Sequence, residues 1–227
     1  MSTARTPAVI FDLDGTLVDS EPNYYEAGRR LLARYGFTDF SWEHHTRFIG
    51  IGTRETLQAL RAEYRIEAPV DELLAGKNQL YLELARTATD VFPEMRKLVE
   101  RLHAESVPMA VASGSSRAAI EAVLGGTGLD PLLRTVVSAE EVPRGKPEPD
   151  VFLEAARRLG AAPEDCVVLE DAAPGAAAAH AAGMRCIAVP YLEETAQDPA
   201  FRTAGLLFAG GHGEFTAEAA YDWLMRR

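Results

Sequence analysis

Short uninterrupted apolar runs recur along the chain: Ala8-Val9-Ile10-Phe11, Met109-Ala110-Val111-Ala112, Thr135-Val136-Val137, Val167-Val168-Leu169, Cys186-Ile187-Ala188-Val189 and, more weakly, Leu206-Leu207-Phe208. Runs of this length without polar alternation predict strands buried on both faces, as in a parallel sheet. Segments with a helical repeat separate them. Pro93 to Ala104 carries Met95, Leu98, Val99 and Leu102 on one stripe, and Arg117 to Leu124 follows a Ser-rich start. Val151 to Leu159 begins after Asp150 as N-cap and stops at Gly160. In the Ala-rich stretch Ala172 to Ala182, small side chains let a helix sit close on the sheet, with Pro174 and Gly183 suiting its ends. Glu214 to Arg227 reads as a closing amphipathic helix covering the sheet. Such alternation predicts an α/β fold, a Rossmann-like parallel sheet flanked by helices.

From about Pro22 to Asp90 no strand-like run occurs. Helical stretches at Asn23 to Tyr35, Trp42 to Phe48, Thr53 to Tyr64 and Val70 to Thr87 predict a helical cap domain inserted after the first strand. The expected division is a core of 1–20 and 91–227 and a cap of 21–90.

Composition narrows the function. The 227 residues are 47% apolar and 25% charged, ordinary for a folded chain, and the formal charge of −11 opposes attraction to nucleic acid or anionic lipid. Two cysteines make no disulfide framework, the polar start shows no signal peptide, and no apolar run is long enough to span a membrane. A cytoplasmic protein, free of nucleic acid and membrane partners and acting as a monomer, is the expectation.

Ligands of such sheets bind beyond the carboxyl ends of the strands, so the residues there carry the chemistry. The first strand ends in Asp12-Leu13-Asp14-Gly15-Thr16, with two carboxylates two residues apart. The second delivers Ser113-Gly114-Ser115, a hydroxyl beside an unhindered N–H at a helix start. After the third comes Lys146, in a loop stiffened by Pro143, Pro147 and Pro149; the fourth ends in Glu170-Asp171. Singly these are a turn, a helix cap, a surface charge and a helix start. Together they set four carboxylates against one amine, and like charges ~4 Å apart repel by ~4 kcal/mol at an effective dielectric of about 20. An all-oxygen donor set without His or Cys selects a hard divalent cation, Mg²⁺. A metal, an ammonium, a hydroxyl and backbone donors together suit a phosphate.

Asp12-Leu13-Asp14-Gly15-Thr16-Leu17-Val18-Asp19-Ser20, Ser113, Lys146-Pro147 and Glu170-Asp171 resemble, in order and spacing, the four motifs of the haloacid dehalogenase superfamily. The helical insertion resembles the cap of its subfamily I, the group of β-phosphoglucomutase and many sugar-phosphate phosphatases. The resemblance implies Asp12 as the nucleophile forming an aspartyl-phosphate and Asp14 as general acid and then base. It implies Ser113, Gly114 N–H and Lys146 as phosphoryl holders, and a Mg²⁺ site of Asp12, Asp14 through its backbone carbonyl, Glu170 and Asp171. Arg54, after Gly50-Ile51-Gly52-Thr53, and Lys77, after Gly76, stand at cap positions similar to ones that contact substrate in relatives. Glu94 stands where relatives often have Gly, which is expected to adjust only a helix start.

The expected activity is therefore Mg²⁺-dependent hydrolysis of a small phosphorylated metabolite, a sugar phosphate in the first instance. The alternative is a phosphosugar mutase; in that branch a linker His helps control cap closure, whereas Tyr24 falls at that place and Asp19-Ser20-Glu21-Pro22 is similar to the phosphatases. The halide-removing branch lacks a metal, which Asp14 and Glu170-Asp171 oppose. A non-enzymatic phospho-acceptor of the receiver type would be uncapped, with its acceptor on a later strand. A catalytically dead binding protein would be expected to lack one of these groups. His44 and His45 adjoin each other, cannot face the same way on a helix and read as decoration of the cap rather than metal ligands; His103, His180 and His212 have no partner in the sequence pattern, while Trp42 and Trp223 read as packing residues and Cys166 and Cys186 as buried thiols.

Overall fold

The computed structural model describes residues 6–49 and 51–226. Gly50, the tail before Thr6 and the last residue of the expected C-terminal helix, Arg227, lie outside that range. The chain divides into two compact units, one made of the residues up to Asp19 with those from Asp90 onward, the other Ser20–Thr89.

In the larger unit the apolar runs form β1 (Ala8–Phe11), β4 (Met109–Ser113), β5 (Thr135–Ser138), β6 (Cys166–Glu170), β7 (Arg185–Ala188) and β8 (Leu206–Leu207). They make one sheet in the order β5-β4-β1-β6-β7-β8, every pair parallel. Chain order reverses direction at β1, whose neighbours are β4 on one side and β6 on the other; this is the switch point at which such sheets open a crevice. Both faces are covered. Ala8, Ile10, Ala110, Ala112, Val168 and Cys186 pack with the helices α7 (Asp150–Leu159) and α8 (Ala173–Ala181). The residues between them, such as Val9, Phe11, Val111 and Val167, are equally buried, which is why the strands carry no polar alternation. Phe152 of α7 is fully buried in this layer, a burial that stabilises by about 1.5–3 kcal/mol. Ala176, Ala178 and Ala179 bring α8 close to the sheet. Remaining helices are α5 (Pro93–Ala104), α6 (Arg117–Thr127) and α9 (Ala217–Met225), the last packed on α5.

Four local expectations need correction. The segment before α5 contains a two-residue strand, β3 (Asp90–Val91), antiparallel to β2 (Val18–Asp19); strands so short are made by their pairing and leave no periodicity. Asp150 is the first residue of α7 rather than its N-cap; Pro149 precedes it and the Asp150 carboxylate takes the Arg144 guanidinium at 2.7 Å. The closing helix starts only at Ala217, because a 3-10 turn over Gly211–Gly213 precedes it and the Thr216 side chain accepts from Ala219 N–H. Glu94 does more than start α5: its Oε2 accepts the Ala217 N–H at 3.0 Å and so ties α9 to α5.

The smaller unit is helical: α1 (Glu21–Arg34), α2 (Trp42–Thr46), α3 (Thr53–Glu63) and α4 (Val70–Ala85). Leu31, Leu32, Leu57, Leu60, Leu73 and Leu80 are among its buried residues, and α4 packs on both α1 and α3. Trp42 is exposed rather than enclosed in the core, with its ring meeting the Tyr25 ring edge-on and the His45 ring at 5.3 Å. His45 is buried and bonded to Glu21 at 2.9 Å, while His44 meets Glu63 at 3.1 Å, so the adjacent histidines do face different ways. Among the described residues no helix is long and apolar enough to cross a membrane.

Candidate active site

Four adjacent strands, β5, β4, β1 and β6, end side by side, and the chemistry-bearing residues sit where they end. β1 stops at Phe11 and hands on Asp12, whose N–H is still held by the Leu169 carbonyl of β6 at 3.0 Å. Ser113 is the last residue of β4, Glu170 the last of β6, and Lys146 lies in the loop between β5 and α7. The turn after Asp12 is tight because Gly15 adopts φ +80°, and a side chain there would collide with the Asp171 carboxylate. Glycine is required again at Gly175, where a Cβ would run into the Glu170 carboxylate.

These strand ends bring Asp12, Glu170 and Asp171 together, with one carboxylate oxygen of each within 4.8 Å of the others. The Lys146 ammonium bridges two of them, donating to Asp12 Oδ1 and to Glu170 Oε1 at 2.5 Å each. The other Glu170 oxygen accepts the Ala172 N–H at 2.9 Å, and Asp171 Oδ1 accepts the Thr16 hydroxyl at 3.0 Å. The Asp14 carboxylate turns elsewhere. It takes the Ser115 hydroxyl at 2.6 Å and the Ser113 hydroxyl at 3.3 Å, leaving its side chain outside the acidic trio.

Burial dominates the electrostatics. It pushes Asp12 up to about 8, outweighing the attraction of Lys146, and Glu170 and Asp14 add repulsion. Asp171 is pushed well above the usual carboxylate range by burial and then by Glu170 and Asp12. Burial opposes the charge on Lys146, but the joint pull of Asp12 and Glu170 wins and raises its pKa. One lysine thus does not balance three crowded carboxylates. The trio's oxygen-only donor set suits a hard cation, and these residues fit a divalent metal.

All the core-domain residues singled out in the sequence therefore lie at neighbouring strand ends. Gly114 follows Ser113 and is exposed. The two helical-unit candidates differ from each other. Arg54 is exposed and paired to Asp71 at 2.7 Å, whereas Lys77 is buried, with its ammonium 5.5 Å from the Tyr24 ring centre, and burial lowers its pKa to about 8. Sequence reasoning passes over Ser115 and Thr16, although Thr16 is within the quoted first motif; each donates to a site carboxylate. His212 has a partner after all, the Gly15 carbonyl at 2.8 Å.

A profile of the haloacid dehalogenase-like hydrolases matches residues 6–183. The chain belongs to that family. Among its relatives, fructose-1-phosphate phosphatase YqaB of Escherichia coli (strain K12) is 35% identical over 188 residues, covering 83% of this chain and 98% of that protein. The bifunctional riboflavin kinase/FMN phosphatase of Arabidopsis thaliana is 36% identical over 188 residues; the match takes in 81% of this chain but spans only 48% of that relative. Among solved structures, a HAD family hydrolase from Deinococcus radiodurans R1, with bound phosphate and sodium, superposes with a TM-score of 0.73 at 28% identity over 98% of each chain. This haloacid dehalogenase-like protein is thus an enzyme of a hydrolase family with named phosphatases among its relatives.

Proposed function

We propose that the chain is a Mg²⁺-dependent phosphatase of small phosphorylated metabolites, sugar phosphates foremost, working through an aspartyl-phosphate on Asp12. The observation that carries this reading is the Lys146 bridge, 2.5 Å from both Asp12 and Glu170, inside a carboxylate trio at the sheet's switch point. Asp12, Glu170, Asp171 and the Asp14 backbone carbonyl would hold the metal. When bound, Mg²⁺ supplies the positive charge that lets an anionic carboxylate approach an anionic ester.

Asp12 attacks phosphorus, forming an Oδ–P bond as the bond to the leaving oxygen breaks. Asp14 protonates that oxygen, and the freed Asp14 carboxylate then takes a proton from water as the water attacks phosphorus. Phosphate leaves and Asp12 is regenerated. Ser113, Gly114 N–H and Lys146 hold the phosphoryl oxygens; the long 3.3 Å bond from Ser113 to Asp14 is one that a phosphoryl oxygen replaces. The Ser115 bond to Asp14 keeps the acid in place. The helical unit acts as a cap, with Arg54 and Lys77 reading the leaving group. The E. coli relative's substrate name supports a sugar phosphate, and the two free, buried cysteines suit a reducing, cytoplasmic setting.

The test is phosphate release from a panel of phosphorylated sugars, nucleotides and two-carbon acids, with and without Mg²⁺. Release that requires Mg²⁺ and favours sugar phosphates supports the reading. Interconversion of sugar 1- and 6-phosphates faster than release would make the enzyme a mutase instead.

The cluster also predicts a pH dependence of metal stabilisation. Asp12 sits at about 8 in the fold against about 4 in an unfolded chain, so the metal-free fold binds a proton that the unfolded chain releases. Metal-free protein should therefore lose stability as pH rises from about 4 to about 8. Added Mg²⁺ should raise Tm more at about pH 8 than at about pH 6, read by thermal melts with and without chelator. Equal Tm gains at both pH values would contradict this.

A further inference from the structure

We propose that His212 is a positioning residue of the active site, holding the peptide that joins the Asp14 turn to the Thr16–Asp171 bond; this rests on the reading of Asp12 and Asp14 as nucleophile and acid. His212 lies far along the chain, in the 3-10 turn Gly211–Gly213, yet its Nε2 is 2.8 Å from the Gly15 carbonyl. A carbonyl only accepts, so Nε2 carries the proton and the imidazole is the donor.

The Gly15–Thr16 peptide is a sensitive place to hold. On one side is Asp14, with its carboxylate on Ser115; on the other is Thr16, whose hydroxyl donates to Asp171 Oδ1 at 3.0 Å. Gly15 itself is packed so closely on Asp171 that it leaves no room for a side chain. A rotation of this one peptide plane therefore shifts both the acid and a carboxylate of the trio. The turn's own bonds, Gly15 N–H to the Val18 carbonyl at 2.9 Å and Leu17 N–H to the Leu13 carbonyl at 3.0 Å, leave the Gly15 carbonyl to His212.

The ring is held as firmly as its bond. It stacks on Phe92 with centroids 3.4 Å apart and planes at 11°, and it meets Phe215 edge-on at 6.4 Å. Phe92 belongs to the same locus, because its N–H donates to the Leu17 carbonyl at 3.1 Å. A side chain needed only to fill this space would have no use for a nitrogen directed at the turn.

His212→Phe and His212→Gln separate the two roles, since Phe keeps the stack and loses the donor while Gln restores an N–H. Steady-state kinetics, Tm and hydrogen exchange of the amides of residues 15–18 are measured for both. His212→Phe should lower kcat about ten- to hundredfold with KM little changed, because misplacement of a catalytic group costs rate more than binding. It should also speed exchange at those amides about tenfold with Tm near that of the parent, and His212→Gln should recover most of both. Parental kcat and exchange in His212→Phe, or losses in both variants that simply follow Tm, would overturn the proposal. If the parent protein releases no phosphate from any ester, the functional reading fails, while the exchange rates still decide whether His212 holds the turn.

Discussion

Asp12→Asn should abolish phosphate release, by about 10⁵-fold or more, because an amide is not a nucleophile toward phosphorus and no other group can stand in for it. Ser113, Ser115 and Thr16 bring hydroxyls to the site, but each is already engaged with a carboxylate. Ser113 donates to Asp14, and Thr16 is bonded to Asp171 and fully buried. The fold should tolerate the change well. Asp12 is a buried carboxyl whose ionisation the interior resists, so an uncharged isostere relieves desolvation while its side-chain oxygen still accepts from Lys146. The expected variant is folded, at least as stable as the parent without metal, and inactive. Residual activity within about a hundredfold of the parent would mean that Asp12 does not attack.

Lys146→Met is the second large effect, and it strikes activity and stability together. The ammonium is the one cation bonded to Asp12 and Glu170 among the described contacts, and it lies 4.8 Å from the Phe152 ring centre. Removing it withdraws the charge that holds a phosphoryl oxygen, a loss of about 10³-fold in kcat. It also leaves two buried carboxylates facing each other, and breaking a buried pair from one side costs about 3–5 kcal/mol. Lys146→Arg should not restore activity, because a planar guanidinium cannot replace a point charge centred between two carboxylate oxygens. Kinetics paired with denaturant melts measure both losses. A Met variant as stable as the parent would show that the lysine does not hold the trio together.

Much of this was open to reading from the chain because the two strongest signals are local. Each buried parallel strand is an apolar run in sequence, and the site carboxylates and Ser113 sit at or just past the end of one, as with Phe11 before Asp12 and Leu169 before Glu170, while Lys146 lies further on, in the loop between β5 and α7. The strand-end rule then assembles the site without any knowledge of long-range contacts. What stayed hidden depends on pairing across the fold. β2 and β3 exist only through each other, and two residues carry no period. Lys77 has the same helix-face signature as an exposed lysine, yet burial lowers its pKa to about 8. Ser115 beside Ser113 looks like one more polar residue at a helix start until its 2.6 Å bond to Asp14 is seen. His212 has a partner 197 positions away, a relation that no spacing within the C-terminal segment can announce. Trp42 errs in the other direction, since a large apolar side chain is expected inside and here lies exposed.

The most direct test of the account is to catch the phosphoryl group on the protein. A sugar phosphate accepted by the enzyme is mixed with it and Mg²⁺, quenched in acid within a turnover, and digested for mass spectrometry. One phosphoryl mass on the peptide carrying Asp12, absent in Asp12→Asn and lost on standing, is the predicted result. A rapid turnover that leaves no label on that peptide, or that places it on another residue, would contradict the nucleophilic role of Asp12.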